Sequence, residues 1–276
     1  MDICNRILTE SLGYLLYPFG RFAPIWGLLF LSIVAGAAMV WLFGRISNQS
    51  RVRALKTTMK GHLLEVWIFR DQLRNVVKAE GRVMRQTGKY ILCSLPSFLV
   101  LMLPVIVLMI HLQAQYGYRP LRPNEPALLK VFLADSANQA AADALPEVKL
   151  VLPDGLVQET PALRIAPDHE VDFRIAATKP GQYQVGIEIA GETITKSVEV
   201  GNQRVPLSPY RSSSWIDRLL YPVEPGLKAG PIAAVEIKYP DETVWCAGFQ
   251  CSWIWPFLIV SLAAGYALKG LFGVEL

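Results

Sequence analysis

Charge is thin in this sequence. Lys, Arg, Asp and Glu make up 18% of its 276 residues, against roughly a quarter in an ordinary soluble domain. Three stretches carry no charge at all: Phe22–Gly44, Tyr90–Gln113 and Thr243–Leu268. Histidine is scarcer still. His62, His111 and His169 stand far apart, so no metal cluster with the usual ligand spacing can be read from them. Four cysteines are too few for a disulfide scaffold. A G-x-S-x-G elbow, a P-loop and a dinucleotide fingerprint are all missing. The expectation is a protein that is not an enzyme and uses no cofactor and no metal.

What fills the space is apolar. Hydrophobic residues are 52% of the chain and the mean hydropathy is +0.31. Each uncharged run has the roughly 20 apolar residues that a helix needs to cross hydrocarbon. The pattern predicts an α-helical membrane protein with three transmembrane helices, at 22–44, 90–113 and 243–268. Trp253 and Trp255 open the third as interface anchors.

The charge that exists is segregated. Residues 45–89 hold eleven Lys/Arg and three acids, a net +8, while 114–242 hold 13 basic and 17 acidic residues. Basic loops stay on the cytoplasmic side. That orients the chain with its N-terminus and residues 114–242 outside, and 45–89 and the 269–276 tail inside. The reading is a bacterial inner (cytoplasmic) membrane, with 114–242 in the periplasm. Residues 1–20 interleave Asp2, Arg6 and Glu10 with Ile3, Ile7, Leu8, Leu12, Leu15 and Leu16. That is an amphipathic stripe suited to the membrane interface, with a helix packed on the exterior domain as the other reading.

Within 45–89, Val52, Leu55, Met59, Leu63 and Val66 recur at three and four residues, and Leu73, Val76, Val77, Val83 and Met84 repeat the pattern. Two amphipathic helices follow. They form a cytoplasmic helical hairpin that can coil through its apolar stripes, with its tip at Phe69–Asp71 and Asp71 as a helix cap. Arg51, Arg53, Lys56, Lys60, Arg70, Arg74, Lys78, Arg82 and Arg85 are its candidate contacts with lipid, a ribosome or a client chain. In the second span Pro96 and Pro104 each remove a backbone donor, beside Ser94 and Ser97. With Ser32 of the first span, these are candidate groove residues. Serines that bond back to their own helix are the plainer alternative.

Residues 114–242 change texture. The stretch 135–146, DSANQAAADALP, reads as a linker. VKLVLP, ALRIAP, VDFRIAA, GQYQVGIEIAG, ETITKSVEV and AAVEIKYP alternate and are punctuated by Pro and Gly. They predict an exterior all-β domain, an immunoglobulin-like sandwich, with a short amphipathic helix at 212–222 suited to a membrane surface. Asp168, Glu170 and Asp172 read as a solvated strand face rather than a cation site. Cys246 and Cys251 flank four residues and can close a small disulfide loop.

The order of parts, with the short stretches PIWGLLFLSIV, RVRALKTTMK, VVKAEG and CSLPSFLVLMLPVI, resembles the core of the YidC/Oxa membrane insertase superfamily over residues 1–113. The three-span types, such as the ER membrane complex subunit and archaeal relatives, are similar in span number. Where bacterial members place an arginine in the first core span, this chain has Ala35, Gly36, Ala37 and Ala38. The resemblance implies an insertase or intramembrane chaperone that guides hydrophilic tails of client proteins along a polar groove. Its partners would be membrane lipids, nascent or client membrane proteins and the ribosome. The alternative is a structural or accessory subunit of a cell-envelope complex, binding an exterior partner through 114–242.

Overall fold

A computed structural model describes residues 11–15, 24–47, 49–68, 73–134, 146–189, 191–203, 205–246 and 248–274. Most of the 1–20 segment, the hairpin tip with Asp71, and the 135–145 linker lie outside the described residues; 11–15 are helical. The chain divides into two compact units, 24–108 with 254–276 and 1–23 with 109–253.

The first unit is helical. Helix α1 spans Pro24–Ile46, α2 spans Gln49–Ile68, and α3 spans Leu73–Tyr116. At 1.5 Å per residue, α3 is about 66 Å long, twice the ~30 Å of bilayer hydrocarbon. The second half of the expected hairpin and the second span are therefore one helix, unbroken at Pro96 and Pro104. Among the described residues, two helical segments are long and apolar enough to cross a membrane, Ile25–Ile46 and Gly81–Tyr116.

The third uncharged run is built differently from expectation. Its first part is a β-hairpin, and only 15 residues, Ile254–Leu268, form a helix. That is about 22 Å, short of a full crossing. This last helix packs along α1. Gly36 lets the backbones meet, because a Cβ there would lie 2.3 Å from the carbonyl oxygen of Ser261. The chain after it turns back at Gly273, in the left-handed region with φ 62. Val274 is buried, against Gly44.

The second unit is β-rich. Its strands are β1 (Pro126–Leu133), β2 (Val148–Val151), β3 (Leu156–Gln158), β4 (Leu163–Ile165), β5 (Glu170–Ala177), β6 (Gly181–Ile189), β7 (Glu192–Val200), β8 (Tyr210–Ser212) and β9 (Ile232–Ile237). One antiparallel sheet runs β3-β5-β1-β9-β8 with β4 also on β5, and a second runs β2-β6-β7. Leu129, Val131, Phe173, Ile175 and Val235 of the first sheet and Val185, Ile187 and Val198 of the second share one core. The arrangement is sandwich-like, with strand faces alternating between core and surface.

Helix α4 (Trp215–Leu220) follows β8, whose Ser212 lies opposite Ala234. Six residues further on, Pro240 accepts a bond from Arg119 N just past the end of α3. The ribbon β10 (Val244–Cys246) and β11 (Phe249–Cys251) belongs to neither sheet. The final helix, Ile254–Leu268, is α5.

A buried ion pair fastens the second sheet to a loop. Lys196, 0% exposed, donates to Ser208 O at 2.6 Å and to Glu224. Glu224 also accepts from Ser197 N at 2.9 Å and from its hydroxyl. Burial drives the lysine towards its neutral form, opposed by Glu224. Burial likewise pushes Glu224 up, but Lys196 and Ser197 hold it below the usual carboxylate range.

Two predictions follow from this packing. Gly36→Ala should cost about 1–3 kcal/mol by overpacking, seen as a lower thermal midpoint in detergent micelles. Gly61→Ala, whose Cβ meets nothing within 4 Å, should be neutral or slightly stabilising. Glu224→Gln should destabilise by about 3–5 kcal/mol because it leaves Lys196 buried without a counter-charge. The same unfolding measurement on the Lys196→Met, Glu224→Leu double variant should show a much smaller loss.

Candidate functional site

The basic segment and the helix it continues into form the candidate site. Two of its cations are occupied at the base of the arm. Arg53 donates to Gly273 O at 2.8 Å, which ties α2 to the turn after α5. Lys56 sits 5.9 Å from the centroid of the Tyr90 ring, within cation–π range. The 269–276 tail is thus packed in place through residue 274. Lys60, Arg82 and Arg85 are exposed, as is Lys89. Arg70 and the side chains of Arg51, Arg74 and Lys78 lie outside the described residues.

The groove candidates separate. Ser32 is fully buried and donates back to Leu28 O at 2.6 Å, the self-bonding arrangement expected of a helical serine. Ser97 is buried, and the Ser94 oxygen is buried without a hydrogen-bond partner. The two stand three residues apart, on one face of α3. Pro96 and Pro104 face outward. A helical proline leaves the carbonyl four residues back without its donor, here Leu92 and Val100. Around them the surface is apolar and open: Leu92 is 69% and Leu103 70% exposed. Polar and apolar groups are therefore set on the same helix that carries Arg82, Arg85 and Lys89.

Cys246 and Cys251, which the sequence allows to close a small disulfide loop, are free thiols in this structure. Cys251 lies opposite Val244, and Cys246 opposite Phe249. The two are diagonal neighbours on one face of the ribbon, near enough for their thiols to hydrogen-bond. Trp253 is not a lipid-facing anchor. It is 2% exposed and donates from Nε1 to Gln113 Oε1 at 2.9 Å.

On the sandwich, Asp168 of the acidic alternation is exposed, but the other two acids are not solvated. Asp168 sits in a 3-10 turn, while Glu170 and Asp172 on β5 are 7% and 8% exposed. The register explains the burial. Asp172 lies between Lys130 of β1 and Leu163 of β4, and Glu170 between Phe132 and Ile165. Lys130 Nζ reaches Glu170 at 2.5 Å and Asp172 at 3.8 Å. One oxygen of Asp172, Oδ1, is buried without a partner. Burial first, and then the Glu170 carboxyl, push Asp172 up to about 6. Lys130 offsets one of the two carboxylate charges, and no group of three metal-binding side chains exists among the described residues. The sequence missed this cluster because it depends on β1 and β4 as neighbours.

No protein-family model, curated protein or solved structure matches this chain.

Asp172 sets a pH signature. Its folded-state pKa of about 6 stands above its ordinary 3.8. The associated stability is fully present below about pH 4 and is lost as pH rises through 6. Asp172→Asn removes the loss. Its thermal midpoint should exceed that of the parent at pH 7.5, by the equivalent of about 1–3 kcal/mol, and the gap should shrink at pH 4.5.

Proposed function

We propose that this chain is a membrane-protein insertase or intramembrane chaperone of the kind the YidC/Oxa resemblance implies. The observation that carries the reading is the continuity of α3. One 44-residue helix begins in the basic segment and runs on through an apolar, outward-facing stretch. The second half of the arm and the candidate span are then one continuous helix.

In this reading α1 and α3 cross the bilayer, and α5, held against α1 at Gly36, serves as a shorter third membrane element. The +8 segment faces the cytoplasm of a bacterial inner membrane, and the sandwich, read as immunoglobulin-like, faces the periplasm. Each exposed basic residue near an anionic surface contributes about 1 kcal/mol of attraction. Lys60, Arg82, Arg85 and Lys89 would gather anionic lipid, a ribosome or the acidic flank of a client. A client's hydrophilic tail would then pass along the outward face of α3, past the carbonyls of Leu92 and Val100 freed by Pro96 and Pro104. Polar groups there lower the cost of carrying charge part-way into hydrocarbon. No bond is made or broken.

A specific observation favours the accessory-subunit alternative. Helix α4 exposes Trp215, Ile216 and Leu220 at 66%, 49% and 45%, an apolar patch on the sandwich suited to an exterior partner.

Purified protein reconstituted in liposomes should raise the insertion of a client with a short translocated tail several-fold over empty liposomes. Lys60, Arg82, Arg85 and Lys89 changed together to Gln should lower that gain while reconstitution is unaffected. No gain over empty liposomes overturns the reading.

A further inference from the structure

The β10–β11 ribbon presents its aromatics outward. Trp245 is 65% and Phe249 75% exposed. They lie on opposite faces of the ribbon, because Trp245 stands across from Gln250 and Phe249 across from Cys246. An isolated two-stranded hairpin is marginal in water. Soluble proteins guard such edges with charge, and none occurs from Thr243 to Leu268. The contrast within the same unit is plain. The β6–β7 hairpin carries exposed Glu188 and Glu192 beside its turn.

The ribbon's place is set at both legs. Glu242 N donates to Gly117 O at 3.0 Å on one side. On the other, Trp253 Nε1 holds Gln113 Oε1 at 2.9 Å. Gln113 and Gly117 are the last turn of α3 and the residue after it, so the ribbon is pinned beside the end of a helix that carries no charge from Tyr90 onward. Trp255, two residues beyond the pin, is 62% exposed.

We infer that the β10–β11 hairpin is a lipid anchor, with Trp245 and Phe249 seated in the interfacial layer of the bilayer on the side of the sandwich. The inference rests on the membrane reading of α3. Lipid fits better than a protein partner because the aromatics point both ways. A docked protein covers one face of a ribbon, whereas a bilayer interface surrounds both. Tryptophan prefers that layer, where its ring is apolar and its N–H stays wet. The hairpin also accounts for the shortness of α5. The uncharged run reaches the interface as a ribbon instead of as more helix.

The test uses the full chain with Cys4, Cys93, Cys246 and Cys251 changed to Ser, reconstituted in phosphatidylcholine–phosphatidylglycerol vesicles. Nitroxide labels go singly at Trp245→Cys and Phe249→Cys, with Ile106→Cys in α3 and Glu188→Cys as references. Both hairpin sites are more than half exposed, so the labels displace little packing. Oxygen should relax the hairpin labels several-fold more than a nickel chelate does, as at Ile106, with the reverse at Glu188. If Ile106 reads lipid while 245 and 249 are open to nickel, the anchor is overturned and the membrane reading stands. Hairpin labels shielded from both reagents indicate a protein contact and also overturn it. If Ile106 itself reads water, the membrane reading falls and takes the anchor with it.

Discussion

The last turn of α3 is the point on which the β-rich unit depends. A helix ends with carbonyls that have no intrahelical donor, and here the β-rich unit supplies donors around that end. Ala114 O accepts from Leu207 N at 2.9 Å, Gly117 O from Glu242 N, and the Gln113 side chain from Trp253. Arg119 N reaches Pro240 O at 3.0 Å. Segments around residues 207, 240–242 and 253 thereby converge on a single helix end, with Leu112 and Tyr116 buried among them. Of the terminal carbonyls, Gln113 O accepts from Gly117 N and Ala114 O from Leu207 N, and the chain runs on into β1.

Just beyond that end, a second device stiffens the exit. Arg119 makes a bidentate pair with Glu125 at 2.7 and 2.8 Å, and Glu125 also accepts from Arg122 N. Arg119 first, and the Arg122 amide after it, hold the Glu125 carboxyl down to about 2. Asn124 takes the left-handed conformation, φ 62, which asparagine tolerates better than most residues. The turn therefore keeps its shape across any ordinary pH. The opposite strategy appears at Asp172, where a carboxylate is held in a place that favours its proton. The two sites show how the same residue class is used for rigidity in one place and left sensitive in another, according to its hydrogen-bond supply.

Much of the chain was legible from pattern alone. The alternating runs became β2, β4, β5, β6, β7 and β9, because half-buried strands repeat every two residues. Strand β1 was not legible, although it is the centre of the larger sheet. Its outward residues include Leu128 and Phe132, so PALLKVFL has almost no polar alternation to read. The buried Glu170 and Asp172 escaped for a related reason. Their cover comes from strands distant in sequence.

What the sequence determined by itself was where charge is allowed. Three uncharged runs, a +8 segment and an acidic remainder are composition, and no packing changes them. Tertiary structure decided what the uncharged runs become. Residues 90–113 joined the basic arm in one helix, because nothing from Leu73 to Tyr116 interrupts the hydrogen-bond ladder beyond two tolerated prolines. Residues 243–268 split into ribbon and helix, because Glu242 and Trp253 are both drawn to the end of α3 and the chain between them has to turn back. Hydrophobicity alone cannot distinguish those outcomes, since both bury or shelter the same apolar groups. The deciding term is where backbone donors and acceptors find partners.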